Sequence, residues 1–170
     1  MQIIKEACVD SFSDAVNAEK KGANRIELCG RLDLDGLTPS KKLIKKVFLN
    51  LNIPIRVMIR PKYPSFIYSN EDIRIMIEDI NYCKELGVDG VVFGCLNKGS
   101  NLNMSQINLL SDIAKPLNVI IHKAIDKTDS VLNSLLLLLK NQNINGVLSS
   151  GGKTFAIDAT ETLKKMLDLV

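Results

Sequence analysis

The 170-residue sequence has no tryptophan, only one histidine, no long apolar run and no block of like charge. Each shortage removes a class of function. With His122 as the lone imidazole, a zinc site built on several histidines cannot be assembled within one chain. The four cysteines, at 8, 29, 83 and 95, lack Cys-x-x-Cys spacing, so free thiols are expected rather than a disulfide framework. The longest apolar run, Leu135 to Leu139, is far too short to cross a bilayer. Lys5 and Glu6 interrupt the N-terminal apolar stretch, which argues against a secretory segment and for a cytoplasmic protein. Twenty-two basic and nineteen acidic side chains are scattered along the chain, giving a net charge of +3 and no stripe suited to nucleic acid or a membrane surface. No Gly-x-Gly-x-x-Gly follows the first strand, so no nucleotide cofactor is expected. The remaining composition, 46% apolar and 24% charged, is that of an ordinary globular chain long enough for one sizeable core.

What is present is a repeat of β-rich runs and amphipathic stretches, which predicts parallel strands with helices between them. Strands are expected at 2-8, 24-29, 54-59, 88-93, 117-122 and 145-149, and helices at 11-21, 39-50, 70-86, 103-114, 129-141 and 154-168. Expected helix starts are Asp10 or Ser11, Thr38 with Pro39 at the first helical position, and Ser69 with Asp72; Gly22 and Gly87 are expected left-handed stops. The Leu-rich run at 132-140 is apolar around its circumference, which suggests a deeply covered helix or one that contacts a partner subunit. Strands 2 and 4 enter through glycine and strands 3 and 5 through proline, an echo over two βα units. The fold class is therefore α/β, a (β/α) TIM-barrel-like domain over 1-170. With about six units against the usual eight it is incomplete, lacking strands 7 and 8. Its two sheet edges would carry unpaired backbone groups, which predicts self-association as a homo-oligomer.

Chemistry gathers at the expected strand ends, where barrels place their sites. Glu6 and Cys8 share parity on strand 1, and Arg25, Glu27 and Cys29 share parity on strand 2, so two Glu-x-Cys pairs should lie side by side. Two neighbouring thiolates make a soft site suited to Cu(I), whereas buried cysteine is more often inert. Glu6, Glu27, Arg25 and Arg60 are expected to form an internal ion-pair network. His122 is a candidate general acid or base, and Lys123 and Arg60 are candidate anion contacts. The turn at Ser150, Gly151 and Gly152, before a helix, offers backbone N–H groups to a phosphate or carboxylate.

The stretches "EACVDS", "GANRIELCG", "GLTPS", "IPIRVMIRP", "FIYSNED", "ELGVDGVVFG", "IIHKAID" and "GVLSSGG" run in order along nearly the whole chain, and together they resemble the CutC family of copper homeostasis proteins. The resemblance implies a TIM-barrel fold with Cys8 and Cys29 as Cu(I) ligands, and a polar cluster at the mouth made of Glu6, Arg25, Glu27, Arg60, His122 and Asp126. That cluster is also compatible with an enzyme of unknown reaction on a small anionic or phosphorylated metabolite, with His122, Glu27, Arg60 and Asp126 as its catalytic set and Arg25 and Lys123 among its anion contacts. A third reading is a decayed member with little chemistry. Where the family reads "RPRGGDF" this chain has Lys62, Tyr63, Pro64 and Ser65, and where it reads "FHRAFD" this chain has Lys123 for arginine. The family's glycine-rich turn at strands 7 and 8 is expected to be absent after Val170.

Overall fold

A computed structural model describes residues 3–170. Six parallel strands form one curled sheet in sequence order: β1 Glu6–Val9, β2 Arg25–Leu28, β3 Ile55–Met58, β4 Gly90–Phe93, β5 Asn118–Ile121 and β6 Gly146–Val147. Six helices connect or follow them: α1 Phe12–Lys20, α2 Lys41–Phe48, α3 Asn70–Leu86, α4 Met104–Ala114, α5 Val131–Leu138 and α6 Thr160–Leu167. The alternation expected from the hydrophobic period is thus present, with shorter strands. The expected start of strand 1 at Gln2 lies outside the described residues. β6 has only two residues and pairs with β5. Residues 154-159, expected as helix, begin extended and make a 3₁₀ turn at Ala156–Ala159 before α6.

Register explains how the chain separates its two faces. Along β2, Ile26 and Leu28 face the helices and join Val57, Ile59, Val91, Phe93 and Ile121 in the main core. Each such side chain removed from water stabilises the fold by roughly 1.5–3 kcal/mol. The opposite parity forms a second buried cluster of Cys29, Met58, Val92 and Ile120 inside the curl. Cys8 is level with Glu27, and Glu27 with Arg56, so these three side chains share the inner face.

Helix ends follow local chemistry. Ser69 and Asp72 make a reciprocal capping box on α3, and Gly87 ends it at φ 83°, a conformation that suits glycine. Ser11 caps α1 by accepting from the Asp14 N–H, and Asp10 instead accepts from the Leu32 N–H. Thr38 does not cap α2. Ser40 does, while the Thr38 hydroxyl accepts from the Arg60 N–H and ties the turn before α2 to the end of β3. The Leu-rich helix α5 is not deeply covered: Val131, Leu135 and Leu138 are buried, but Leu136, Leu137 and Leu139 are 42–46% exposed.

Candidate metal centre and binding cavity

β1 and β2 bring Cys8, Glu27 and Cys29 together at the C-terminal end of the sheet. The Cys8 and Cys29 sulfurs are 3.6 Å apart, and both thiols donate to Glu27 Oε1, at 3.4 and 3.8 Å respectively. Each offers a ligand atom within 4.8 Å of the others. Cys29 is fully buried whereas Cys8 is exposed, so the pair is held rigidly on one side and reachable on the other. Burial raises the Glu27 carboxyl above the ordinary range, against the hydrogen bond from Cys8, which lowers it. The hydrogen bond with the Cys8 sulfur and burial hold the Cys29 thiol far above the ordinary thiol range. In the metal-free protein the centre is therefore a protonated thiol against a carboxyl group, and a soft cation would have to displace protons to bind. The other two cysteines are core residues: burial pushes Cys83, in α3, and Cys95, after β4, up to about 12.

Of the expected network joining Glu6, Glu27, Arg25 and Arg60 only the Glu6–Arg25 pair forms, because Glu27 and Arg60 lie further along the sheet. Glu6 pairs with Arg25 and, at 3.4 Å, with Arg56, and Arg56 pairs with Asp89 at 3.1 Å. This group sits where β1, β2 and β3 begin, at the end of the sheet away from the thiols. Arg25 is thus an ion-pair partner of Glu6 rather than an anion contact at the mouth. Arg56 was identifiable in sequence, since it shares parity with Arg60 four residues on, and Glu27 faces thiols instead of arginine.

Above the thiols lies a cavity of about 750 Å³, with Cys8, Glu27, Met58, Arg60, Phe66 and His122 among its lining residues. Arg60, only 2% exposed, spreads its guanidinium over backbone: Nη1 donates to the carbonyls of Leu34, Asp35 and Gly36, each at 3.1 Å, and Nη2 to that of Pro64 at 3.3 Å. Its Cζ stands 4.5 Å from the centre of the Phe66 ring, on which the His122 ring also packs at 4.9 Å. His122 Nδ1 accepts from the Ala124 N–H at 3.2 Å. Burial, with the charge of Arg60 second, pushes the imidazole down to about 3, so the ring is neutral near pH 7 and poorly matched to the acid or base role expected of it.

The loop after β6 is already engaged. Asp126 accepts from Ser150 N at 2.8 Å, Gly152 N at 2.9 Å, Ser149 Oγ at 2.5 Å and Ser150 Oγ at 3.2 Å, and Gly151 N donates to Ser149 Oγ. The backbone cradle expected to take an outside anion at Ser150, Gly151 and Gly152 holds the protein's own carboxylate. Asp126 is accordingly a loop anchor, a role that sequence alone did not indicate.

The model of the CutC family matches residues 3–170. The chain belongs to the CutC family. It is 38% identical to the human "Copper homeostasis protein cutC homolog" over 97% of this chain and 60% of that protein. It is 35% identical to a family protein CutC of Pasteurella multocida over 95% of this chain and 66% of that one. The crystal structure of a CutC copper homeostasis protein from Streptococcus agalactiae superposes with a TM-score of 0.91 at 28% identity, covering 98% of this chain and 82% of that one. The chain thus spans about 60% of the length of the first curated relatives it matches. A sialic acid aldolase of Ruminococcus gnavus, TM-score 0.62 at 16% identity, shares the fold alone.

Of the positions at which this CutC chain departs from the expected family pattern, Tyr63, Pro64 and Lys123 line the same cavity. Lys62 pairs with Asp72 and fastens the β3 loop to the N-terminus of α3. Tyr63 places its ring centre 5.7 Å from the Arg60 guanidinium carbon. Lys123 is exposed at the rim, where it begins a short 3₁₀ turn. Phe66 and Met58, which complete the cavity, carried no signal in the sequence beyond being apolar.

Proposed function

We propose that this CutC-family chain takes part in copper homeostasis by holding Cu(I) between the thiolates of Cys8 and Cys29. The observation that carries this is the 3.6 Å approach of two sulfurs from adjacent strands. Soft, polarisable thiolates select Cu(I) over harder cations, and the exposed edge of Cys8 gives the ion a way in. Glu27, in contact with both sulfurs, is the group positioned to accept or pass on the protons that binding displaces. The relatives named as copper homeostasis proteins support copper as the metal.

Anaerobic titration with Cu(I) against a chromogenic chelator tests this. Cys8→Ser, Cys29→Ser and the double variant are expected to lose about a hundredfold or more in affinity, since even outer-sphere partners of a metal site cost 10–100-fold. Equal affinity of wild type and the double variant would refute the assignment.

The further elements of the proposal rest on lesser observations. All four cysteines are unpaired, which a reducing cytoplasm maintains. The six βα units form a single domain. β1 and β6 end the sheet without pairing to each other, and an apolar groove of about 640 Å³ beside β6, lined by Leu139, Ile144, Val147, Leu163 and Met166 among others, supports a homo-oligomer that covers this edge. No helix among the described residues is long and apolar enough to cross a membrane.

A further inference from the structure

The guanidinium of Arg60 is buried in the cavity wall, yet no carboxylate stands within 4 Å of it among the described residues. Its four hydrogen bonds go to neutral carbonyls, and its Nε has no hydrogen-bond partner among the described residues. A buried charge is ordinarily matched by an opposite one, because desolvation without compensation is costly. The acidic residues lining the cavity do not supply the match. Asp126 is bound to the loop after β6, Glu27 faces the thiols, and Asp35 meets Arg60 only through its backbone carbonyl. Lys123, Lys127 and Lys153 add positive charge around the rim. The cavity therefore carries positive charge that its own acids leave uncompensated.

The second wall supplies a neutral donor. Because His122 Nδ1 accepts a backbone hydrogen bond, the proton of the uncharged ring sits on Nε2, which has no hydrogen-bond partner among the described residues. Phe66 packs against both groups and, with Tyr63, Pro64, Leu32 and Leu148, supplies the apolar part of the lining. We infer that the cavity above the thiol pair is a binding site for a small organic carboxylate, whose charge compensates Arg60, whose oxygen accepts from His122, and whose apolar body lies against Phe66. A phosphoryl group is the poorer fit, since the backbone N–H groups that would serve it are closed by Asp126. This site is separate in chemistry from the Cu(I) proposal and is tested on metal-free protein.

The chain's single histidine makes the test direct. Metal-free protein labelled with ¹⁵N is titrated with benzoate and isovalerate, each compared at millimolar concentration with its neutral amide and with phenyl phosphate. Both carboxylates are expected to shift the Nε2–H resonance of His122 and to raise the melting temperature, with affinity about tenfold or more above that of the amides. His122→Asn keeps an acceptor for the Ala124 N–H while removing the Nε2 donor, and is expected to weaken carboxylate binding on the order of tenfold. Arg60→Gln is expected to abolish the preference of carboxylate over amide. Should that variant fail to fold, the wild-type comparison of acid with amide still decides. Amides binding as well as acids, phenyl phosphate binding more tightly than both carboxylates, an unshifted Nε2–H, or a proton on Nδ1 would each overturn the inference.

Discussion

Replacing Asp126 by alanine removes the acceptor of two backbone N–H groups and two hydroxyls. The consequences differ by exposure. Ser150 is 5% exposed, so its N–H is left without water or protein and costs about 1–3 kcal/mol. Gly152 is exposed, so its N–H regains water and the loss is confined to a charge-assisted hydrogen bond, about 1 kcal/mol net. Ser149 and Ser150 hydroxyls can rotate toward other partners and add little. The sum is a loss of about 2–4 kcal/mol, which for a domain of this size lowers the melting temperature by roughly 5–15 °C. Asp126→Asn retains one acceptor oxygen of nearly the same shape and should lose about half as much. Urea denaturation at neutral pH measures both changes, and amide exchange at Ser150 and Gly152 locates them. An Asp126→Ala protein within about 0.5 kcal/mol of wild type would refute the reasoning, because a change that small is typical of surface positions without a structural role.

Glu27 gives a pH dependence of definite sign. Its folded-state carboxyl is raised, chiefly by burial, so the folded protein keeps a proton that the unfolded chain gives up, and stability falls as pH rises from the unfolded value toward the folded one. Glu27→Gln should therefore gain stability relative to wild type as pH increases across that window; a difference independent of pH would contradict it. A methyl group at Gly94 would meet the His122 ring at 2.8–2.9 Å, so Gly94→Ala is expected to cost about 1–3 kcal/mol and to shift the His122 resonances. Light scattering at micromolar concentration should find an oligomer, and a monomer would count against an interface at the β6 edge.

Much of the fold was readable from pattern alone. The period-2 and period-3.6 stretches locate six strands and six helices, because half-buried strands and helices cannot hide apolar side chains at any other spacing. Gly22 and Gly87 stop helices as expected, at φ 84° and 83°. Parity also anticipated the meeting of Cys8 and Cys29, since neighbouring parallel strands present residues of one parity to one side.

The errors have one origin, the height of a residue along the barrel axis and the choice among several partners. Parity gives the face but not the level, so it does not distinguish Arg60 from Arg56, and it is Arg56 that pairs with Glu6 and Asp89. Thr38 and Ser40 are both competent caps, and only the position of β3 decides that Thr38 serves Arg60. The loop at Ser150 to Gly152 has the composition of an anion cradle, and the sequence by itself determined that much. Only the tertiary structure decided what fills it, because Asp126 is brought more than twenty residues along the chain to the same N–H groups, where its carboxylate excludes an outside anion. The same packing leaves Arg60 buried without an acid, a fact carried by no motif. Electrostatic compensation depends on distances between segments, and those are set by how the strands stack rather than by what the residues are.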